Sequence, residues 1–139
     1  MTRLLIVDDD PDIRAMFVRT LRSLGDIEEA GGGPEAMRLL YAREFDLLLL
    51  DLHMPVLDGF TLLEALASKP GPNRDTPVFV ITADISDEAR IRALRRHAVF
   101  LLTKPVNLGT LLSFVRSSLQ KRKSRPPAPL VGERGEKKN

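Results

Sequence analysis

Acidic, hydroxyl and ammonium side chains follow four apolar segments of this 139-residue sequence. Asp8 and Asp9 follow LLIV, Asp51 follows LLLL, Thr82 follows VFVI and Lys104 follows VFLLT. Two carboxylates about 4 Å apart repel each other by about 4 kcal/mol at an effective dielectric constant of 20, so acids that meet need a cation or a proton among them. These residues would form a cation-binding cup wherever the fold brings them together.

Mg²⁺ suits such a cluster, because it takes oxygen ligands and is typically held by one or two carboxylates together with a phosphate. Asp51 could then act as a nucleophile, since an aspartate can attack a phosphoryl group to give an aspartyl phosphate. Lys104 and the metal would neutralise the added charge, and the Thr82 hydroxyl would donate a hydrogen bond to a phosphoryl oxygen. The residue types therefore fit Mg-dependent phosphoryl chemistry at Asp51.

The elements that must position these residues are five apolar segments that alternate with helical patterns. Strands alternating with helices predict an α/β fold, a doubly wound parallel sheet with helices on both faces. The carboxyl ends of parallel strands share one edge, where open α/β sheets bind their ligands. The run LLLL lacks the alternation of a half-exposed strand and fits a strand covered on both faces. The predicted strands are Leu4–Val7, Ile27–Ala30, Phe45–Leu50, Val78–Ile81 and Val99–Leu102.

Capping residues mark where the helices begin. Asp10 before Pro11 is the N-cap of the first helix, so we assign it to capping and not to the acidic cluster. Asp58 with Gly59 has turn chemistry ahead of a helix from Phe60 to about Ser68. Further helices are predicted over 34–42, from Asp84 or Ser86 to Arg96, and from an N-cap at Asn107.

Composition excludes several classes of protein. The chain has no cysteine, which removes disulfides and thiolate sites and fits a cytoplasmic location. We predict no signal peptide and no membrane span, because no run approaches the roughly 20 apolar residues of a transmembrane helix. One domain is predicted over residues 1–120. Residues 121–139 are predicted to be a disordered, basic, proline-containing tail, which accounts for the sequence pI of about 9.2. Nucleic-acid binding is not expected, because no aromatic residue interleaves the basic ones.

Four segments together resemble the receiver domain of two-component response regulators. They are IVDDDPDIR, LLLLDLHMPVLDG, VFVITA and LLTKP, and the resemblance covers about residues 3–119. Each motif alone is weak, but the four in this order and spacing are specific. The resemblance implies a flavodoxin-like (CheY-like) three-layer sandwich with strand order 2-1-3-4-5, acting in phosphorelay signal transduction.

The resemblance also implies roles for the site residues. A histidine kinase or phosphotransfer protein would donate a phosphoryl group to Asp51. Mg²⁺ would be bound by Asp9, Asp51 and the backbone carbonyl of His53, with Asp8 acting through a water. Lys104 and Thr82 would contact the phosphoryl group.

Secondary features follow from the same resemblance. The Lys104–Pro105 bond would be cis, and His53 and Asp84 would tune how long the phosphoryl group persists. The family usually has an aromatic residue at the switch position, where this sequence has Leu101. Phe100 is one place earlier and should face the opposite side of its strand.

The implied function is a signalling domain that catalyses only its own phosphorylation and slow dephosphorylation. Its output would be a downstream protein bound by the fourth helix, fifth strand and fifth helix, or a homodimer. Two alternatives stay open: a Mg-dependent phosphohydrolase with an aspartyl-phosphate intermediate, and a receiver-like scaffold that is never phosphorylated. The phosphohydrolase pattern usually places nucleophile and acid two residues apart on one strand, unlike the acids here.

Overall fold

The computed structural model describes residues 1–52, 54, 56–83 and 100–124, with only the backbone of residues 123 and 124. Five strands form one sheet in the order β2-β1-β3-β4-β5, and every neighbouring pair is parallel. This confirms the predicted doubly wound sheet and its strand order. The strands are β1 (Arg3–Val7), β2 (Asp26–Ala30), β3 (Leu47–Asp51), β4 (Val78–Thr82) and β5 (Phe100–Thr103).

Helices cover both faces of the sheet. They are α1 (Pro11–Leu21), with a 3₁₀ turn over Arg22–Leu24, then α2 (Gly33–Ala42), α3 (Gly59–Ser68) and the C-terminal helix (Leu108–Ser124). Leu47 and Leu49 of β3 pack in a core with α1 and the C-terminal helix, whereas Leu48 and Leu50 pack in a core with α2 and α3. The LLLL run is thus explained, because a strand covered on both faces needs apolar residues at every position.

Side-chain caps define three of the helix starts. The carboxylate of Asp10 accepts hydrogen bonds from the N–H groups of Asp12 and Ile13, at 2.9 and 3.3 Å. Asn107 accepts one from the N–H of Thr110 at 2.9 Å. Both predicted caps are confirmed. Asp58, predicted only as a turn residue, also caps a helix, because it accepts a hydrogen bond from the N–H of Thr61 at 2.8 Å.

The chain remains helical beyond the predicted domain boundary at residue 120. The C-terminal helix continues to Ser124, and Arg122 in its last turn contacts the domain. Its guanidinium lies 3.3 Å from a carboxylate oxygen of Glu44, 3.6 Å from one of Asp46, and 3.3 Å from the carbonyl oxygen of Asp75. The remaining tail, residues 125–139, lies outside the described residues, as does the helix predicted between residues 84 and 96. No helix among the described residues is long and apolar enough to cross a membrane.

A buried polar cluster of Asn73 and Thr76, here called the Asn73 cluster, lies at the amino-terminal edge of the sheet. The Asn73 amide donates to the carbonyl oxygens of Leu40 and Arg43, at 2.5 and 2.7 Å. Its oxygen accepts from the N–H of Phe45 at 2.7 Å and from the Thr76 hydroxyl at 2.9 Å. The cluster thereby ties the end of α2 to the segments that lead into β3 and β4.

Candidate functional site

The carboxyl-terminal edge of the sheet brings together side chains that are up to 96 positions apart in the sequence. Asp8 follows β1, Asp51 ends β3, Thr82 ends β4 and Lys104 follows β5. The Lys104 ammonium nitrogen lies 3.4 Å from a carboxylate oxygen of Asp51 and 3.8 Å from one of Asp8. One cation is therefore shared between two acids from different strands.

Three carboxylates form the acidic part of this edge. Oxygen atoms of Asp8, Asp9 and Asp51 all lie within 4.8 Å of one another. Asp8 and Asp51 are buried, with 1% and 3% of their surface exposed, whereas Asp9 is exposed. A cation that entered this group would meet two buried carboxylates and one facing solvent.

Asp8 is only partly satisfied by the protein. One carboxylate oxygen accepts a hydrogen bond from the Asp10 N–H at 2.9 Å. The other, Oδ2, is buried and has no hydrogen-bond partner among the residues that the structure describes. Burial raises the pKa of the Asp8 carboxyl and the charge of Asp51 adds to this, while the Asp10 N–H and Lys104 act in the opposite direction. This oxygen lies 3.8 Å from the Lys104 ammonium, but a buried oxygen that accepts no hydrogen bond, beside two further carboxylates, also fits a hard divalent cation.

Close backbone packing fixes the end of β3. The N–H of Gly59 donates to the carbonyl oxygen of Leu52 at 3.1 Å. A Cβ at Gly59 would lie 2.7 Å from the carbonyl oxygen of Asp51, closer than such atoms approach. Only glycine fits there, so the Asp58-Gly59 pair, predicted as a turn, also places the first turn of α3 against the backbone of Asp51.

Thr82 and Lys104 are linked through the backbone. Thr82 is fully buried, and its carbonyl oxygen accepts a hydrogen bond from the Lys104 N–H at 2.9 Å. The Lys104–Pro105 peptide bond is cis. The ends of β4 and β5 are thus held together at the same edge as the acids.

The aromatic residue near the switch position faces away from Leu101. Leu101 packs in the core formed with α2 and α3. The Phe100 ring instead stacks on Phe114 of the C-terminal helix, with ring centroids 5.0 Å apart, and lies 4.8 Å from Phe79. The predicted opposite orientation of Phe100 and Leu101 is confirmed.

Some predicted features cannot be located, and one contact was not predicted. His53 and Asp84 lie outside the described residues. Sequence analysis gave no role to Arg14, although its guanidinium donates to the Asp8 carbonyl oxygen at 2.7 Å. The sequence did contain a pointer to this contact, because Arg14 lies in the first turn of α1, which begins just after Asp8 and Asp9.

Comparison with known proteins agrees with this geometry. The sequence matches the response regulator receiver domain family over residues 4–116. The transcriptional regulatory protein PrrA of Mycobacterium tuberculosis is 37% identical over 123 residues, which make up 88% of this chain and 52% of PrrA. The chain thus spans about half the length of this curated relative.

Solved structures of receiver domains share the fold. The receiver domain of a Francisella response regulator superposes with a TM-score of 0.78 at 30% identity, covering 88% of this chain and 99% of that one. The receiver domain of a sensor histidine kinase from Pseudomonas aeruginosa superposes with a TM-score of 0.75 at 25% identity, covering 86% and 98%, and holds a magnesium ion in its active site cleft. From the family match, the sequence identity and the shared fold, this chain belongs to the receiver domains of two-component response regulators.

Proposed function

We propose that this receiver domain accepts a phosphoryl group on Asp51 in a Mg-dependent reaction and thereby switches the binding of a partner protein. The observation that carries the proposal is the position of Lys104 between Asp51 and Asp8, where the Asp8 oxygen nearest its ammonium is buried and has no hydrogen-bond partner among the described residues. Such a site has an oxygen nucleophile, a fixed positive charge and free metal-binding capacity. The donor would be the phosphohistidine of a kinase or of a phosphotransfer protein.

Asp51 supplies the nucleophile. One of its carboxylate oxygens attacks phosphorus, the P–N bond of phosphohistidine breaks, and its electron pair returns to the imidazole nitrogen, which takes up a proton. Packing of Gly59 against the Asp51 carbonyl holds the acceptor strand in place during attack. Orientation of this kind is a large part of what a protein contributes to phosphoryl transfer, whose chemistry needs little more than positioning and charge.

Asp9, Asp51 and the backbone carbonyl of His53 would hold Mg²⁺, and Asp8 would act through a water, as in the family. The bound ion offsets the negative charge of the acids and of the incoming phosphoryl oxygens. Lys104 already neutralises part of this charge at 3.4 Å from Asp51. Asp9 is the exposed acid of the three.

Lys104 and Thr82 would also carry the signal away from the site. Phosphorylation adds charge and strong hydrogen-bond acceptors at Asp51, which the Lys104 ammonium and the Thr82 hydroxyl would contact. These contacts shift an equilibrium between two surface arrangements, which a partner protein or a second copy then reads. The surface proposed for this is the fourth predicted helix, β5 with Leu101, and the C-terminal helix, while His53 and Asp84 would set the lifetime of the phosphoryl group.

Phosphorylation by acetyl phosphate tests the proposal. With Mg²⁺ we expect the intact mass of the chain to increase by one phosphoryl group, and chelation of the metal should abolish this. Asp51→Asn should lose the modification completely, because an amide is not a nucleophile for phosphorus, whereas the control Asp26→Asn, an exposed aspartate on β2, should behave like the wild type. Wild-type chain that stays unmodified would contradict the proposal, and sustained hydrolysis of a small phosphate ester would favour a phosphohydrolase.

A further inference from the structure

Arg14 connects the acidic site to the edge strand β2. Its Nη1 donates a hydrogen bond to the carbonyl oxygen of Asp8 at 2.7 Å, and its Nε lies 3.0 Å from a carboxylate oxygen of Glu29. About a fifth of the Arg14 side chain is exposed. The guanidinium is thus held on one side by β2 and on the other by the backbone of a site residue.

The peptide unit that Arg14 contacts joins two of the three acids. Because a peptide bond is planar, the Asp8 carbonyl and the Asp9 N–H turn together. The Asp8 N–H is already bonded to the carbonyl oxygen of Ala30 in β2, at 3.2 Å. Arg14 fixes the other backbone group of Asp8, so the direction in which the chain leaves β1 is set from two sides. That direction decides where the Asp9 carboxylate lies relative to Asp8 and Asp51.

We infer that Arg14 is a positioning residue that raises the affinity of the site for Mg²⁺ by fixing the Asp8–Asp9 peptide unit; this inference rests on the proposed function. Two effects of the arginine have opposite signs. Its positive charge alone repels a cation, so a purely electrostatic role predicts tighter Mg²⁺ binding once that charge is removed. Loss of positioning predicts weaker binding, as when outer partners of metal ligands are removed.

The variant Arg14→Gln in the full chain separates the two effects. Mg²⁺ binding can be followed by backbone NMR shifts, because the chain has no tryptophan to report it by fluorescence. We expect the Kd for Mg²⁺ to rise about tenfold. In acetyl phosphate assays, the Mg²⁺ concentration for half-maximal rate should rise by about the same factor, while the rate at saturating Mg²⁺ changes by less than about twofold.

Arg43→Gln is the matched control. Arg43 also pairs with a glutamate of β2, Glu28, at 2.9 Å, but it does not contact the Asp8–Asp9 unit. Its removal should leave the Kd for Mg²⁺ unchanged. Arg14→Lys keeps the positive charge but loses the planar pair of donors, so it should bind Mg²⁺ more weakly than the wild type if Arg14 acts by positioning. A purely electrostatic role predicts no change in this variant.

The outcomes distinguish this inference from the proposed function. If the Kd for Mg²⁺ of Arg14→Gln is equal to or lower than that of Arg43→Gln, the positioning role is overturned. If Arg14→Gln does not fold, Glu29→Ala, which removes the acceptor that anchors Arg14, carries the test, and a wild-type Kd in that variant would overturn the role. A wild-type chain that binds no Mg²⁺ and takes up no phosphoryl group would instead refute the proposed function.

Discussion

The buried polar groups at the two edges of the sheet differ in how completely they are hydrogen-bonded. At the amino-terminal edge, the Asn73 side chain is 2% exposed and makes hydrogen bonds with both its nitrogen and its oxygen. At the carboxyl-terminal edge, the Asp8 side chain is equally buried, but its Oδ2 has no hydrogen-bond partner in the described part of the chain. One edge is satisfied by the protein itself, and the other keeps capacity for a ligand.

This difference shows where the molecule gives up stability for function. A buried hydrogen-bonded amide holds neighbouring segments in one arrangement, because breaking any of its bonds leaves a polar group without a partner. A buried carboxylate without a full set of partners is unfavourable until a cation arrives. Changes in the Asn73 cluster should therefore destabilise the fold without affecting metal binding, whereas neutralising Asp8 should weaken metal binding and stabilise the metal-free fold.

The largest expected effect is on the satisfied edge. Asn73→Leu should lower the free energy of unfolding by about 3 kcal/mol, because it leaves the Phe45 N–H and the carbonyls of Leu40 and Arg43 buried without partners. Urea denaturation measures this. The Kd for Mg²⁺ of the folded variant should be unchanged, and a large change in it would mean that the two edges are coupled.

A smaller effect of opposite sign is expected at the other edge. Asp8→Asn should raise the free energy of unfolding of the metal-free protein at pH 7 by about 1 kcal/mol, the lower end of the cost of a buried unsatisfied polar group. The same change should weaken Mg²⁺ binding, because it removes a negative charge from the group of three carboxylates. Urea denaturation with chelator and a Mg²⁺ titration test both parts, and a less stable variant would contradict the comparison.

The difference in the free energy of unfolding between Asp8→Asn and the wild type should depend on pH, and this dependence tests its sign independently. Burial raises the pKa of Asp8 above 3.8, so the folded state holds the proton up to a higher pH than the unfolded state does. The Asp8 contribution to stability is therefore greatest below pH 3.8 and is lost as the pH rises through the raised value. The increase in the free energy of unfolding caused by Asp8→Asn should therefore become small below pH 3.8 and reach its full size above the raised pKa of Asp8.

The smallest expected effect concerns the backbone near the acceptor. Val56 lies in the loop after Asp51 with φ of 71° and is 94% exposed. A β-branched residue is strained at positive φ, whereas glycine is not. Val56→Gly should raise the free energy of unfolding by about 0.5 kcal/mol, after allowance for the greater flexibility of the unfolded chain. Urea denaturation measures this, and a lower free energy of unfolding for Val56→Gly would show that the positive φ of Val56 does not strain the native state.

Much of this architecture could be predicted from local sequence, because the rules that govern it are local or topological. LLLL predicts a doubly covered strand, Asp10 and Asn107 predict helix starts, and the shared edge of parallel strands predicts that Asp51 meets Lys104. Contacts between side chains and distant backbone could not be predicted. Asn73 lies in a segment, PGPNRDTP, that indicates only a helix break, and its backbone partners are 28 to 33 residues away. The contacts of Arg122 could not be predicted for the same kind of reason.

The four leucines before Asp51 also limit how the gene for this domain can change. Asp51 is two residues after Leu49 and four after Leu47, so it lies on the same face of β3 as these leucines, which face α1 and the C-terminal helix. Deleting one leucine would rotate every following side chain of the strand to the other face and point the acceptor away from Lys104. Inserting two residues into the unaltered strand would keep the direction of Asp51 but move it along the strand by roughly 6.6 Å. Insertions and deletions within this strand are thus far more damaging than exchanges among its apolar side chains.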